Sequence, residues 1–187
     1  MTTRLFTFLG GDTGPWRVTT MTGITGEPLA AAKRLGIVAG PENSTGPGSS
    51  WVLRGITSNE RYVDREERTE IVAKQLPLGR PETTCAALIP IRKNLDWWSL
   101  TQNERMSIFK EKSHHTQIGL QTFAALARRL HHCRDLSENE PFDFITWFEY
   151  EPADVVIFNQ LLAQLRATEE WSYVDREMDI RLVRDEH

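Results

Sequence analysis

Apolar and polar residues alternate with a period of two in some stretches of this chain and recur at helical spacing in others, and the switches mark out its elements. Trp16 to Ile24, Trp51 to Ser58, Cys85 to Arg92 and Phe142 to Tyr150 read as strands, rich in β-branched and aromatic residues. The last strand, Trp171 to Arg184, sets Met178, Ile180 and Leu182 on one side and Asp179 and Arg181 on the other, which predicts one buried and one wet face. Helices are predicted over Glu27 to Arg34, Arg65 to Gln75, Thr101 to Lys112, Thr116 to Leu130 and Pro152 to Ala167. In the last of these, Pro152 stands where a first helical turn tolerates proline. Gly40 to Ser50 is a loop of Gly, Pro and Ser.

Strands and helices mixed without strict βαβ order predict an α+β layout, with helices packed on a largely antiparallel sheet. The segment Tyr-Val-Asp-Arg-Glu occurs twice, at 62–66 and 173–177, each time after a tryptophan-led, β-rich lead-in. That short identity fits two similar halves within one domain.

At 187 residues the chain can bury a core without disulfide or metal staples. A hydrophobic fraction of 40%, a charged fraction of 26% and a net charge of −4 are ordinary for a globular protein and offer no general attraction to nucleic acid or an anionic membrane. No apolar run approaches the roughly 18 residues of a membrane span. The run Leu5 to Leu9 after Arg4 is cut by Gly10-Gly11-Asp12 before a signal-peptide core is complete, so the expected location is cytoplasmic. Cys85 and Cys133 lack metal-ligand spacing and read as free thiols in a reducing compartment.

The chemistry concentrates in Lys112-Ser-His-His-Thr-Gln-Ile-Gly-Leu-Gln121, in Arg128-Arg129, and in Glu169-Glu170. An imidazole, a guanidinium and a carboxylate are the parts of a haem pocket. Imidazole is a common axial ligand, a carboxylate on its second nitrogen fixes the tautomer, and a permanent cation can steer an anion on the open face. Taken singly each part has a blander reading: His114-His115 as a helix cap or structural pair, Arg128 as a solvated helix-end residue, and Glu169-Glu170 as an exposed acidic helix end. Trp97-Trp98 reads as one core ring beside one interface ring. Gly10-Gly11-Asp-Thr-Gly14 lacks the ending of a phosphate loop and reads as a turn, and His131-His132-Cys133 is too compact for a tetrahedral metal site.

The ordered set is more specific than its parts. RYVDRE (61–66), the turn Gln75 to Arg80, AALIPIRK (86–93) with Trp97-Trp98, KSHH (112–115), ARRLHHCRD (127–135), PFDFITWFEY (141–150) and RATEEWSYVDREMDIRLVR (166–184) together resemble the short-chain branch of the chlorite dismutases, across most of the chain. The resemblance implies a dimeric α+β barrel of two ferredoxin-like halves, 1–95 and 96–187, trimmed in the first half and assembling as a homodimer. It implies haem b, with conversion of chlorite to chloride and dioxygen. His115 would be the proximal ligand, selected over His114 because the family keeps thirteen residues between ligand and distal arginine, here Arg128. Glu170, next to Trp171, would accept from the far nitrogen of His115. Lys93 would lie near the proximal side, Gln75 would hold Arg128 inward, one of Trp97 and Trp98 would flank the haem, and Tyr62 would contact a propionate. Arg129 is the fallback distal residue.

Thirteen residues of regular helix advance about 20 Å but turn about 220° beyond whole turns, so His115 and Arg128 cannot both lie on one helix and face one site. Two other readings remain: a relative of the same barrel that decarboxylates iron coproporphyrin, against which the distal arginine counts, and a non-catalytic haem-carrying or sensing protein.

Overall fold

A computed structural model of the chain describes residues 4–40, 48–57 and 65–185. The first strands are β1 (Leu5–Gly11), β2 (Trp16–Thr25), β3 (Arg34–Ala39) and β4 (Ser49–Ile56), followed by helix α1 (Arg65–Lys74). Strand β5 (Cys85–Lys93) leads into the short helices α2 (Leu95–Ser99) and α3 (Gln102–Met106); α3 widens into π-helical turns over Ser107–Lys112 before helix α4 (His115–Leu120). Strands β6 (Ala127–His132) and β7 (Phe144–Tyr150), helix α5 (Val155–Arg166) and strand β8 (Val174–Arg184) complete the order.

The eight strands close into a barrel in the order β1-β3-β2-β8-β5-β7-β6-β4, every neighbouring pair antiparallel. Period-two alternation divides the residues between two cores. Phe8, Trp16, Trp51, Leu88, Ile145, Trp147, Met178, Ile180 and Leu182 pack together in one cluster inside the barrel. Their outward neighbours Ala87, Ile89 and Phe148 pack under Phe158, Leu161, Leu162 and Leu165 of α5. Gly10 is required by this interior, because a Cβ there would come within 2.1 Å of the Trp51 indole.

Strands 16–25, 85–93 and 144–150, helix α1 and helix α5 match the pattern-based expectation closely. The helix expected over Glu27 to Arg34 is absent. Gly26 takes a positive φ, the Lys33 amide already donates to Gly11 and its carbonyl accepts from Val18, so the segment is drawn into the sheet and continues as β3. The helix expected over Thr116 to Leu130 stops at Leu120, and residues 127–132 form β6. Residues 169–173 form a 3-10 turn ahead of β8.

The wet face expected for β8 is covered. Glu177 and Asp179 are buried and paired with Arg166 of α5, Arg166 to Glu177 at 2.6 Å and to Asp179 at 3.1 Å, while the Trp171 indole donates to Glu177 at 2.8 Å. Charge along that face marks an ion-paired helix contact rather than solvent.

Candidate haem site

The cavity lies on the outer face of β5, β6 and β7, beneath α4 and α5, and is lined by residues of all of them. Its empty space is about 1220 Å³, mouth included, and most of its wall is Ile, Leu and Phe. The polar exceptions include Lys93, His115, Arg128 and Glu170.

His115 reaches the wall because the chain breaks just before it. His114 has φ 50° and ψ 32°, the left-handed region that a non-glycine residue seldom adopts, and α4 restarts at His115. His114 is exposed, whereas His115 lines the cavity. Nδ1 of His115 lies 2.7 Å from Oε2 of Glu170. Facing a carboxylate, that nitrogen carries a proton and donates it, so Nε2 is the nitrogen that offers a lone pair whenever the ring is neutral.

Glu170 is buried at the start of the 3-10 turn, its amide donating to Ser113 Oγ at 2.9 Å. Its other carboxylate oxygen accepts from Lys93 Nζ at 2.8 Å, and Nζ also donates to the Glu170 carbonyl at 3.2 Å. Burial alone would raise the Glu170 carboxyl, but the charges and hydrogen bonds of His115 and Lys93 outweigh it and hold the group at about 2. Burial pulls the Lys93 ammonium down, against the upward pull of Glu170. The ammonium also sits 4.4 Å from the centre of the Trp97 ring. Glu169, by contrast, is on the surface and pairs with Lys112 at 2.9 Å.

Arg128 enters the same cavity from β6. On that strand Arg128, Leu130 and His132 line the cavity. Arg129 and His131 point the other way: Arg129 donates to His131 Nε2 at 3.0 Å and its guanidinium lies 3.8 Å from the Phe6 ring centre, inside the barrel. Arg129 is therefore excluded as a fallback, because adjacent strand residues face opposite sides. The Arg128 guanidinium rests 4.8 Å from the Phe123 ring centre, and its backbone carbonyl accepts from Gln75 Nε2 at 2.7 Å. Gln75 thus ties the end of α1 to the Arg128 backbone.

Trp97 is buried and lines the cavity; Trp98 stands behind the wall. The Trp98 indole donates to Asp143 at 3.2 Å, and its ring stacks on Phe144 under the cations of Arg105 and Arg134. Asp143 also accepts the Lys93 amide at 2.7 Å; burial raises its carboxyl and these two hydrogen bonds oppose the rise. Tyr62 lies outside the described residues. Sequence reasoning missed Phe109, stacked on the His115 ring, together with Ser113, Phe123 and Asp143. Each acts by touching a more conspicuous neighbour, and none carries a spacing that marks it. Cys85 and Cys133 are free.

A single imidazole in an apolar cavity, backed by a carboxylate and an ammonium, would suit an iron already held by its own macrocycle. An antiparallel α+β barrel, with an imidazole–carboxylate–ammonium chain and a guanidinium sharing one outer-face cavity, defines the class.

The chlorite dismutase family model matches residues 46–184, and the chain belongs to that family. It is 49% identical to the dimeric chlorite dismutase of Nitrobacter winogradskyi, with a TM-score of 0.89 over 96% of this chain and 99% of that one. The chlorite dismutase of Ideonella dechloratans is 38% identical over 128 residues, which are 65% of this chain and 40% of that protein. The chlorite dismutase of Candidatus Nitrospira defluvii in complex with imidazole shares the fold, with a TM-score of 0.71 at 18% identity over 99% of this chain and 93% of that one.

Proposed function

We propose that this chain is a haem b chlorite O2-lyase, converting chlorite to chloride and dioxygen. The observation that carries the reading is that the His115–Glu170–Lys93 chain and Arg128 line one apolar cavity, in a member of the chlorite dismutase family. Haem b, when bound, supplies the iron at which chlorite gives up an oxygen atom and the O–O bond forms.

The protein's tasks are binding, orientation and charge. His115 offers Nε2 as the ligand, and Glu170 keeps the proton on Nδ1 and makes the ring a stronger donor. Lys93 neutralises Glu170, so the carboxylate stays ionised in a buried place. Arg128, a permanent cation among apolar walls, attracts chlorite and holds the hypochlorite fragment until recombination. Gln75 fixes the strand segment that carries Arg128, and Trp97 forms part of the wall.

Oxygen-electrode measurement on haem-loaded protein tests this directly: one dioxygen per chlorite is the expected yield. Haem uptake without dioxygen would leave the carrier or sensor reading, and decarboxylation of iron coproporphyrin would move the chain to the other branch of the barrel. His115→Ala should abolish haem loading; an unchanged Soret band would reassign the ligand.

The same reading includes two ferredoxin-like halves, 1–95 and 96–187, joined where β5 of the first pairs with β7 and β8 of the second. It also includes a homodimer, supported by the dimeric Nitrobacter relative and checked by sedimentation at twice the 21.5 kDa chain mass. A cytoplasmic location accords with two free thiols. No helix among the described residues is long and apolar enough to cross a membrane.

A further inference from the structure

Phe109 and His115 stack face to face, ring centroids 4.3 Å apart and planes 19° from parallel. Both rings line the cavity. On a regular α-helix, residues six apart point about 240° apart and cannot stack. Here two departures bring them together. The helix widens into π-turns over Ser107–Lys112, where the Ser113 amide donates to the Ile108 carbonyl five residues back, and His114 adopts a left-handed backbone conformation that turns the chain over. Such widened turns and strained residues concentrate at functional sites.

The stack does what the hydrogen bond to Glu170 cannot do alone. One bond at Nδ1 and the covalent tether at Cβ hold two points of the imidazole and still let its plane rock about the line that joins them. An aromatic face lying parallel to the ring removes this freedom. We propose that Phe109 is a positioning residue that sets the plane of the His115 imidazole, and that the π-turn and the left-handed His114 serve to place it there. The inference rests on His115 as the haem ligand. An axial imidazole donates π-density along one direction of the porphyrin, so its plane governs the splitting of the iron orbitals as well as the strength of the bond.

The test uses haem-loaded Phe109→Leu, Phe109→Met and Phe109→Tyr beside the wild type. The wild type should give one set of electron-paramagnetic g-values in its cyanide adduct. Phe109→Leu should give broadened or multiple sets and lose haem to apomyoglobin about ten-fold faster, at the lower end of what removing a ligand-orienting contact costs. Phe109→Tyr keeps the ring and should restore a single set. Should Phe109→Leu fail to fold, Phe109→Met, whose unbranched chain adapts more readily to the space left, takes its place. Leu and Met variants with the wild-type g-values and haem-loss rate overturn the inference while leaving His115 as the ligand. A wild-type protein that takes up no haem overturns the functional reading as well.

Discussion

Replacing Lys93 by Met removes the ammonium that neutralises Glu170 in a place where the Lys93 and Glu170 side chains are only 1% and 5% exposed. Glu170 is held at about 2 against an ordinary 4.5, a displacement worth about 3 kcal/mol. His115 is the larger of the two partners that cause it, so Lys93 supplies a part. Breaking a buried pair outright typically costs about 3–5 kcal/mol, but here the carboxylate keeps one partner. The expected loss is therefore about 1–3 kcal/mol, read as a urea midpoint about 1 M lower in haem-free protein at pH 7. The sign of the pH dependence follows from the depressed carboxyl: its contribution is fully present above pH 4.5 and is lost as pH falls towards 2. The gap between wild type and Lys93→Met should accordingly be full at pH 7 and close with acidification. Adding Glu170→Gln to Lys93→Met removes the stranded charge and should restore part of the loss. A Lys93→Met protein as stable as the wild type, or a double variant no better than the single, would refute the reasoning.

Arg128→Ala should keep a normal Soret band yet lower kcat/KM for chlorite by about 10²–10³ and release hypochlorite that a chlorination-sensitive dye detects. Arg129→Met, altered on the barrel side of the same strand, should leave chlorite turnover near wild type; the opposite pattern would exchange the two roles. His131 is buried, donates from Nδ1 to the Ile145 carbonyl at 3.1 Å and is pulled down from 6.5 to about 4, chiefly by burial. A depressed base of this kind contributes stability that is whole above pH 6.5 and lost as pH falls towards 4. Urea midpoints should record a loss of about 3 kcal/mol across that window, and a flat contribution from His131, read against a His131→Gln control, would mean that the folded chain binds this proton as readily as the unfolded one.

The strands were legible wherever alternation met a clear boundary. Helix α5 was legible because Pro152 opens the 3-10 turn, residues 152–154, that leads into it, and Phe158, Leu161, Leu162 and Leu165 share one face. The segment 27–34 misled because its Ala, Lys and Leu content favours helix locally, while sheet hydrogen bonds at Lys33 and the positive φ of Gly26 decide otherwise. On β8 the alternation itself was right. What lies over the charged side could not be read, since Glu177 and Asp179 find Arg166 on α5, a contact between elements that no local pattern records.

The same limit governs the site, and Arg128 shows how it is resolved. Read as helix, residues 116–130 set His115 and Arg128 on nearly opposite faces, and helical geometry by itself demanded that one of them leave the helix. The chain satisfies this by ending α4 at Leu120 and running into β6, where Arg128↔Phe148, Leu130↔Thr146 and His132↔Phe144 pair with β7. Once that strand exists, parity chooses between the arginines: 128, 130 and 132 share the cavity face, and 129 and 131 share the barrel face. The ambiguity of Arg128-Arg129 was thus a question of secondary structure rather than of chemistry. A one-residue slip of β6 against β7 would exchange the guanidinium in the cavity for the one beside His131, so this strand's register is as much a part of the candidate site as the side chains it presents.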